Sequence, residues 1–321
     1  MTERSIVTLK DGSLLFGWGE IMELKTPSPH YPAWFKADFF LKSPSWYTHP
    51  YFAVVEPNHF LFNNKKNDVQ WKEIHSMEHF FNESKGAIIS KQVDKIVPYT
   101  YMEAQFTPNG SAMLNHLLQN EQNLYIYGAW DDEEGFLGAT PEILFEIADH
   151  KVTVFAVAGT SNSAEGFTQK ERQEHEWVIK GIKEKLETLG PVTISETAVH
   201  PYHEFFHLVT PIQLIPKNTI SFDELVRHLH PTAALGAYPK ENGEKILKRW
   251  DEIVERGVYG APFGYQYNGE SRAYVAIRNI QWKEGNAKIF VGSGVTAESH
   301  YEQEWNEVCL KAQSVRELLG V

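Results

Sequence analysis

The chain has 321 residues, of which 42% are apolar and 22% charged, and its formal net charge at pH 7 is −12. These proportions are typical of soluble globular proteins, and no window approaches the ~20 apolar residues that a membrane helix needs. The negative charge and the lack of any block of Lys and Arg argue against nucleic-acid binding. A single cysteine, Cys309, excludes an internal disulfide, and we expect it on the apolar face of a helix as a buried structural thiol.

The first part of the chain is rich in aromatic residues and predicts short strands. Residues 1–12 alternate like a strand and lack the basic, apolar and small-residue regions of a signal peptide, so we expect a cytoplasmic protein. Apolar runs at Tyr51–Val55 and 60–62 predict further strands, and a helix is predicted over 76–84.

The middle part alternates in a pattern that predicts an antiparallel meander of three strands. These strands are predicted at 124–130, 136–147 and 151–160. Apolar residues then recur at helical spacing over 168–189, and Gly190 with Pro191 ends this helix.

The last part predicts more strands and two more helices. The predicted elements are strands at 192–194 and 207–215, a helix from Pro239 to Gly257, and a hairpin joining 273–282 to 287–294. A last helix is expected to begin at Ser299, because Ser299 and Glu302 have the spacing of a capping box. Antiparallel strands mixed with long helices indicate an α+β fold.

Two of the predicted helices each carry a Glu-x-x-Glu pair, Glu171 with Glu174 and Glu304 with Glu307. Residues three apart stand on one helix face, so each pair presents two carboxylates in one direction. An oxygen-rich site of this kind suits Mg²⁺, which would also help an acidic protein to attract an anionic substrate. The alternative interpretation of each pair is a solvated helix surface.

Three other positions are candidates for a site. His230 lies in a loop that leads into a helix, and it is one of 14 histidines. Ser293 lies in a Gly-Ser-Gly loop, which either presents backbone N–H groups to an anion or is a plain turn. Arg278 is the only charge in its predicted strand, so it needs a carboxylate partner from the protein or from a ligand.

Taken together, a series of segments resembles the chorismate-utilising enzymes: isochorismate synthase, salicylate synthase, anthranilate synthase component I and aminodeoxychorismate synthase component I. The segments run in the family's order from about residue 90 to 311, and they are GATPEILF, AVAGT, KERQEHEWV, LHPTAALGAYP, VYGAPFGYQYNG, VAIRN, GSGV and EQEWNEVCLK. The resemblance implies the anthranilate synthase component I-like α+β fold, in which antiparallel sheets stack as a two-layer sandwich with helices outside. It implies one chorismate-binding domain over 1–321, with a shortened N-terminal half to about 120 and a catalytic half over about 121–321.

The resemblance also implies a role for each candidate site residue. Glu174 and Glu307 would bind Mg²⁺, supported by Glu171 and Glu304, and the metal would hold the ring carboxylate of chorismate. His230 would lie close to the reacting face. The remaining contacts would come from Tyr259, Arg278, Gly292, Ser293 and Gly294 for the enolpyruvyl carboxylate, and from Gly159 and Thr160 for the ring pocket.

Positions that differ between subfamilies indicate the reaction. Glu142 matches the general acid that protonates the departing C4 hydroxyl, which requires a carboxyl whose pKa is raised by its pocket. Lys95 matches the lysine that activates water for attack at C2, where ammonia-using members carry Gln. Ala158 replaces the lysine nucleophile of covalent aminodeoxychorismate synthases. The chain departs from the family's pattern after Lys95, where an Arg is absent, and at Ala237, which replaces a second glycine.

We therefore interpret the chain as a Mg²⁺-dependent isochorismate synthase, in which water attacks C2 of chorismate and the C4 hydroxyl leaves. The nearest alternative is a salicylate synthase, which also eliminates pyruvate from isochorismate. A subunit that forms aminodeoxychorismate or anthranilate would need an amidotransferase partner. A last alternative is a chorismate- or metal-binding protein without catalysis. The pathway, whether menaquinone, siderophore or folate synthesis, stays open.

Overall fold

The computed structural model describes residues 2–28, 30–57, 69–119, 123–161, 163–202 and 205–321. The helices in these ranges are α1 Glu78–Ile89, α2 Gly110–Gln119, α3 Gln169–Glu187, α4 Phe222–Leu229, α5 Lys240–Ile253 and α6 Tyr301–Leu319. None of these helices is both long and apolar enough to cross a membrane.

The strands of the described ranges are short and belong to three sheets. In chain order they are β1 Arg4–Thr8, β2 Leu14–Trp18, β3 Met22–Leu24, β4 Ala33–Lys36, β5 Ser45–Thr48, β6 Tyr51–Val55, β7 Lys95–Ile96, β8 Tyr99–Gln105, β9 Tyr125–Trp130, β10 Gly135–Thr140, β11 Ile143–Ala148, β12 Lys151–Ser161, β13 Val192–Ile194, β14 Ala198–Tyr202, β15 Phe205–Leu214, β16 Ala237–Tyr238, β17 Pro262–Tyr267, β18 Glu270–Val275, β19 Asn279–Lys283 and β20 Asn286–Gly292.

The two large sheets are antiparallel, and each contains strands from both predicted halves of the chain. The first has the order β6-β2-β1-β9-β10-β19-β20-β8, and the second has the order β13-β15-β12-β11-β18-β17-β4-β5-β3, with β14 also paired to β15. The third sheet is the short β7–β16 ladder.

The two large sheets pack face to face. One apolar cluster joins Val7 and Tyr127 of the first sheet to Trp34 and Tyr274 of the second. Helices α2 and α6 pack against the other face of the first sheet, and α3 and α4 pack against the other face of the second. This sandwich with helices outside confirms the predicted α+β architecture.

The chain crosses from one large sheet to the other at two places where the sequence predicted one uninterrupted strand. The predicted strand 136–147 is divided into β10 of the first sheet and β11 of the second, with Pro141 and Glu142 between them. A proline has no N–H for a sheet ladder, which favours a break there. The predicted strand 273–282 is divided between β18 and β19, and Arg278 lies at that crossing with a positive φ of 54°. The predicted three-stranded meander is therefore wrong.

Helix α6 differs from its prediction at two positions. It begins at Tyr301 after the N-cap residue His300, which makes no side-chain cap. Ser299 instead accepts a hydrogen bond on Oγ from the backbone N–H of Thr296, at 3.1 Å, so the predicted capping box is absent. Cys309 is exposed rather than buried, because it lies next to Val308 of the buried stripe and is rotated about 100° from it around the helix.

The other predicted helices are confirmed with shifted bounds. The helix predicted over 76–84 is α1, and the one predicted over 168–189 is α3. The helix predicted from Pro239 is α5, which ends at Ile253 because the next residue has an extended backbone conformation. The strand predicted at 60–62 lies outside the described residues.

Candidate active site

A cavity of about 100 Å³ is lined by residues of both large sheets and of α3 and α6. The predicted site residues that line it are Glu142, Gly159, Thr160, Glu174, Tyr259, Arg278, Gly292, Gly294 and Glu307. The two sheet crossings bring Glu142 and Arg278 into the same cavity. The predicted site residues that do not line it are Lys95, Glu171, His230, Ser293 and Glu304.

Glu142 is buried at the crossing between β10 and β11. Its backbone is held on both sides: its N–H donates to Thr140 Oγ1 at 3.1 Å, and its carbonyl accepts from the N–H of Val275 at 3.0 Å. Burial raises the pKa of its carboxyl to about 8, although Lys95 and Lys311 act in the opposite direction. At neutral pH the carboxyl is therefore mostly protonated and can donate a proton.

Lys95 is fully buried in β7, and its Nζ lies 2.9 Å from Oε1 of Glu174. Burial alone would raise the pKa of Glu174, but Lys95 and Lys170 lower it below its ordinary value. Gly294 makes room for this ion pair. A Cβ on Gly294 would lie 2.2 Å from Glu174 Oε1 and 2.9 Å from Lys95 Cε, so a larger residue there would force this ion pair to shift.

The two glutamates of α6 are also ion-paired with lysines. Glu304 is fully buried, its Oε1 lies 2.6 Å from Nζ of Lys170, and its Oε2 accepts a hydrogen bond from Ser293 Oγ. Glu307 Oε1 lies 2.7 Å from Nζ of Lys311, one turn further along the helix. Since Glu304 is inaccessible and Glu307 lines the cavity, this pair is not a solvated helix surface.

The carboxylates present the donor set that Mg²⁺ prefers. Burial opposes the charge on Lys170, but Glu304, Glu307 and Glu174 together raise the pKa of its ammonium group. A cation of this chain is thus already attracted to the three carboxylates. Within the described ranges no three His, Cys, Asp or Glu side chains lie in metal-binding geometry, since each glutamate faces its own lysine. These carboxylates fit Mg²⁺ in their charge and in their donor atoms. That the chain binds Mg²⁺ stays a prediction.

Glu171 has a different role from its predicted partner Glu174. Its carboxylate accepts hydrogen bonds from the backbone N–H of Thr168, at 2.9 Å, and from the Thr168 hydroxyl. Thr168 also caps the first turn, so the two residues form the capping box of α3. Glu171 therefore caps its helix, and the expectation that it also supports a metal stays a prediction.

Arg278 is held at the cavity by His207, which the sequence did not indicate. Arg278 Nη2 lies 3.0 Å from His207 Nε2, and His207 Nδ1 lies 3.1 Å from the carbonyl oxygen of Gly159. A guanidinium only donates, so Nε2 must accept and Nδ1–H must donate, which assigns the neutral tautomer. Burial and Arg278 lower the pKa of His207 well below its ordinary value, consistent with that assignment. A guanidinium oriented in this way suits a ligand carboxylate.

Tyr259 and the Gly-Ser-Gly loop pack closely beside Arg278 in the cavity. Tyr259 is buried, and burial raises the pKa of its hydroxyl. A Cβ on Gly292 would lie 3.1 Å from Tyr259 Oη and 2.7 Å from the carbonyl oxygen of Pro98. The N–H of Ser293 donates to the same Pro98 oxygen at 3.3 Å, and the expectation that Ser293 helps to hold a substrate carboxylate stays a prediction.

His230 lies outside the cavity, at the C-terminal end of α4. Its Nε2 lies 2.7 Å from the carbonyl oxygen of Phe39, and its ring packs edge-on against the Phe39 ring. Burial lowers its pKa to about 3. These contacts fix the orientation of the ring, and the expectation that His230 lies close to the reacting face stays a prediction.

Three functional candidates were missed in the sequence: His207, Lys311 and Lys170. Lys311 could have been found, because it follows Glu307 at the i,i+4 spacing of helical ion pairs. Lys170 precedes Glu171 directly, but its partner Glu304 is remote in sequence. His207 lies on a strand, and no local pattern distinguishes it from the other histidines.

Comparison with known proteins relates most of the chain to chorismate binding enzymes. A family model described as a chorismate binding enzyme matches residues 58–320. The salicylate biosynthesis isochorismate synthase of Pseudomonas aeruginosa is 28% identical over 223 residues, which are 65% of this chain and 47% of that protein. The chain spans about half the length of the curated relatives it matches.

Two solved structures share the fold. MenF, the menaquinone-specific isochorismate synthase from Escherichia coli, aligns with a TM-score of 0.84 and 18% identity over 99% of this chain and 88% of that chain. Anthranilate synthase component I from Streptococcus pneumoniae aligns with a TM-score of 0.73 and 17% identity over 97% and 89% of the two chains. These likenesses confirm the anthranilate synthase component I-like fold.

Proposed function

The chain belongs to the family of chorismate binding enzymes, and we propose that it is an isochorismate synthase that converts chorismate to isochorismate. The observation that carries this proposal is a mostly protonated carboxyl, Glu142, in the cavity, together with a buried lysine, Lys95, that pairs with the cavity-lining Glu174 and is close enough to Glu142 to act on its pKa. Exchange of a ring hydroxyl needs both a proton donor and a base. Relatives named isochorismate synthase support the same reaction.

The residues in and beside the cavity would divide the reaction among them. Lys95, in the neutral form that a base requires, would take a proton from water as the water oxygen bonds to C2, and Glu142 would protonate the C4 hydroxyl as the C4–O bond breaks. One water enters and one leaves, so the net change is an isomerisation. Arg278, oriented by His207, would bind the enolpyruvyl carboxylate. Mg²⁺, held by Glu174 and Glu307, would neutralise the ring carboxylate when bound.

The composition of the site favours water over ammonia as the nucleophile. Position 158 carries alanine, so the lysine nucleophile of covalent aminodeoxychorismate synthases is missing. Lys95 stands where ammonia-using members carry Gln. A salicylate-forming activity would use the same residues and add the loss of pyruvate, so the product decides between these two reactions.

The test is incubation of the purified chain with chorismate and Mg²⁺, with and without an ammonium salt, followed by separation and mass analysis of the products. Isochorismate alone is the expected result. Salicylate with pyruvate would identify a salicylate synthase, and an aminated product would overturn the assignment of Lys95. Unchanged chorismate would favour a binding protein without catalysis.

Two variants test the roles of the residues. Lys95→Ala and Glu142→Gln are each expected to retain chorismate binding and to lose turnover by a factor of about 10² or more, because each removes a proton-transfer group. Lys183→Ala is the matched control, since Lys183 is exposed on α3 and pairs only with Glu187 at the surface. Full turnover in either active-site variant would refute the proposed roles.

A further inference from the structure

Glu174, Glu304 and Glu307, here called the carboxylate cluster, are each paired with a lysine. One of these three lysines has no part in the proposed reaction. Lys95 and Lys311 act on Glu142, and Lys311 lines the cavity. Lys170 does neither, yet its side chain is only 14% exposed and its Nζ lies 2.6 Å from the fully buried Glu304. It therefore needs another explanation.

The position of Lys170 in its helix is unfavourable for a cation. It is the second residue of α3, where the N-terminal end of the helix dipole carries partial positive charge. The side chain also loses hydration as it becomes buried. Both costs are offset by the carboxylates that surround it, of which Glu304 contributes most and Glu307 and Glu174 add to it. The charge of Lys170 is thus stabilised by the carboxylate cluster and not by the dipole of its own helix.

The ion pair also connects two helices that lie on different sheets. Lys170 belongs to α3, which packs on the second large sheet, and Glu304 belongs to α6, which packs on the first. Glu174 and Glu307, the proposed metal ligands, lie one turn further along the same two helices. Lys170 interacts electrostatically with both of these glutamates, so its ammonium repels any cation that joins them, and like charges repel strongly in a buried site.

We propose that Lys170 is an internal counter-ion that holds the carboxylate cluster together until a divalent cation displaces it, so that Lys170 weakens metal binding. This inference rests on the proposed function, because that function supplies the metal. Displacement moves the ammonium away from Glu304, and the divalent cation then takes over the charge neutralisation of the cluster. Lys170 is in this sense a positioning residue that determines the affinity for the metal.

The test is calorimetric titration of Mg²⁺ into the full chain without chorismate, for the parent protein and Lys170→Gln. We expect the variant to bind Mg²⁺ at least about tenfold more tightly, which equals about 1.4 kcal/mol. Lys170→Arg keeps the charge and is expected to bind like the parent. Lys183→Gln removes a charge from the same helix at the exposed Lys183–Glu187 pair, and it controls for net charge.

Thermal unfolding provides a second readout that does not depend on turnover. With a chelator present, Lys170→Gln is expected to unfold at a lower temperature than the parent, because Glu304 loses its partner in a buried position. Added Mg²⁺ should stabilise this variant more than it stabilises the parent, since at a given ligand concentration the stabilisation of the fold increases with the affinity of the ligand.

The results separate this inference from the proposed function. If Lys170 were only a structural ion pair, Lys170→Gln would lose stability equally with and without Mg²⁺ and its affinity would not rise, which would overturn the inference. The proposed function would stand even then, because the parent would still form isochorismate. If the parent neither binds Mg²⁺ nor converts chorismate, both proposals fail.

Discussion

The buried carboxyl of Glu142 is expected to make the stability of the fold depend on pH. The pKa of a glutamate rises from an ordinary 4.5 to about 8 at this position. Because the charged form is disfavoured in the fold, the stability contributed by the protonated carboxyl is complete below about pH 4.5 and is lost as the pH rises through about 8. At 1.36 kcal/mol per pKa unit, the full loss is about 5 kcal/mol.

Glu142→Gln is the perturbation that isolates this effect, because glutamine has the shape of the protonated acid and does not ionise. Between about pH 5.5 and about pH 9, the free energy of unfolding of the variant should rise by about 3 kcal/mol relative to that of the parent. Urea unfolding of both proteins at several pH values measures this difference in the free energy of unfolding. The contributions of all other titrating groups are the same in both proteins and cancel in the difference. Glu252→Gln, at an exposed position of α5, controls for the change in net charge.

If the free energies of unfolding of the parent and of Glu142→Gln differed by a constant amount across this pH range, the reasoning would be refuted. The carboxyl would then ionise without cost to the fold.

The carboxyl of Glu142 also predicts how the activity depends on pH. Since the protonated form donates the proton, kcat/KM of the parent is expected to fall above about pH 8. The variant should be more stable at high pH and inactive, which is the usual trade-off at a functional site.

Three further substitutions test other parts of the site. Gly294→Ala places a Cβ 2.2 Å from Glu174 Oε1, and the displaced carboxylate should lower kcat by about 10²-fold in a turnover assay. His207→Leu removes the acceptor that orients Arg278, so KM for chorismate should rise by about tenfold while kcat changes less. Cys309→Ser should change the free energy of unfolding by less than about 0.5 kcal/mol, because the thiol is exposed.

Each of these predictions has a contrary outcome, and the glycine substitution also has a matched control. Gly86→Ala, a helical position with no heavy atom within 4 Å of the new Cβ, should leave turnover unchanged, and equal effects of both glycine substitutions would exclude the steric argument. For His207→Leu, a fall in kcat at constant KM would place the histidine at the reacting atoms instead. For Cys309, native protein that fails to react with a maleimide would show that the thiol is covered.

The long helices of the site could be predicted from the sequence because their evidence is local. In α3 the apolar residues Val178, Ile182 and Leu186 recur at helical spacing and all are buried. The same holds for Val308, Ala312 and Val315 of α6. Helix hydrogen bonds close within four residues, so a short window of sequence contains the interactions that form the element. The order of the family's motifs then indicated the sandwich.

Only the tertiary structure decided where strands cross between sheets and which charges meet. Apolar periodicity alone does not locate the crossings at Glu142 and Arg278, because a strand has the same two-residue period in either sheet, and only Pro141 gives a local signal for the first crossing. Glu171, three residues before Glu174, caps its helix, whereas Lys170 reaches a glutamate on another helix. The lysine partners of Glu174 and Glu304 lie far from them in the chain, so no local pattern contains these ion pairs. The sequence determined the helices and the residue types of the site, and packing determined which of those residues share the cavity.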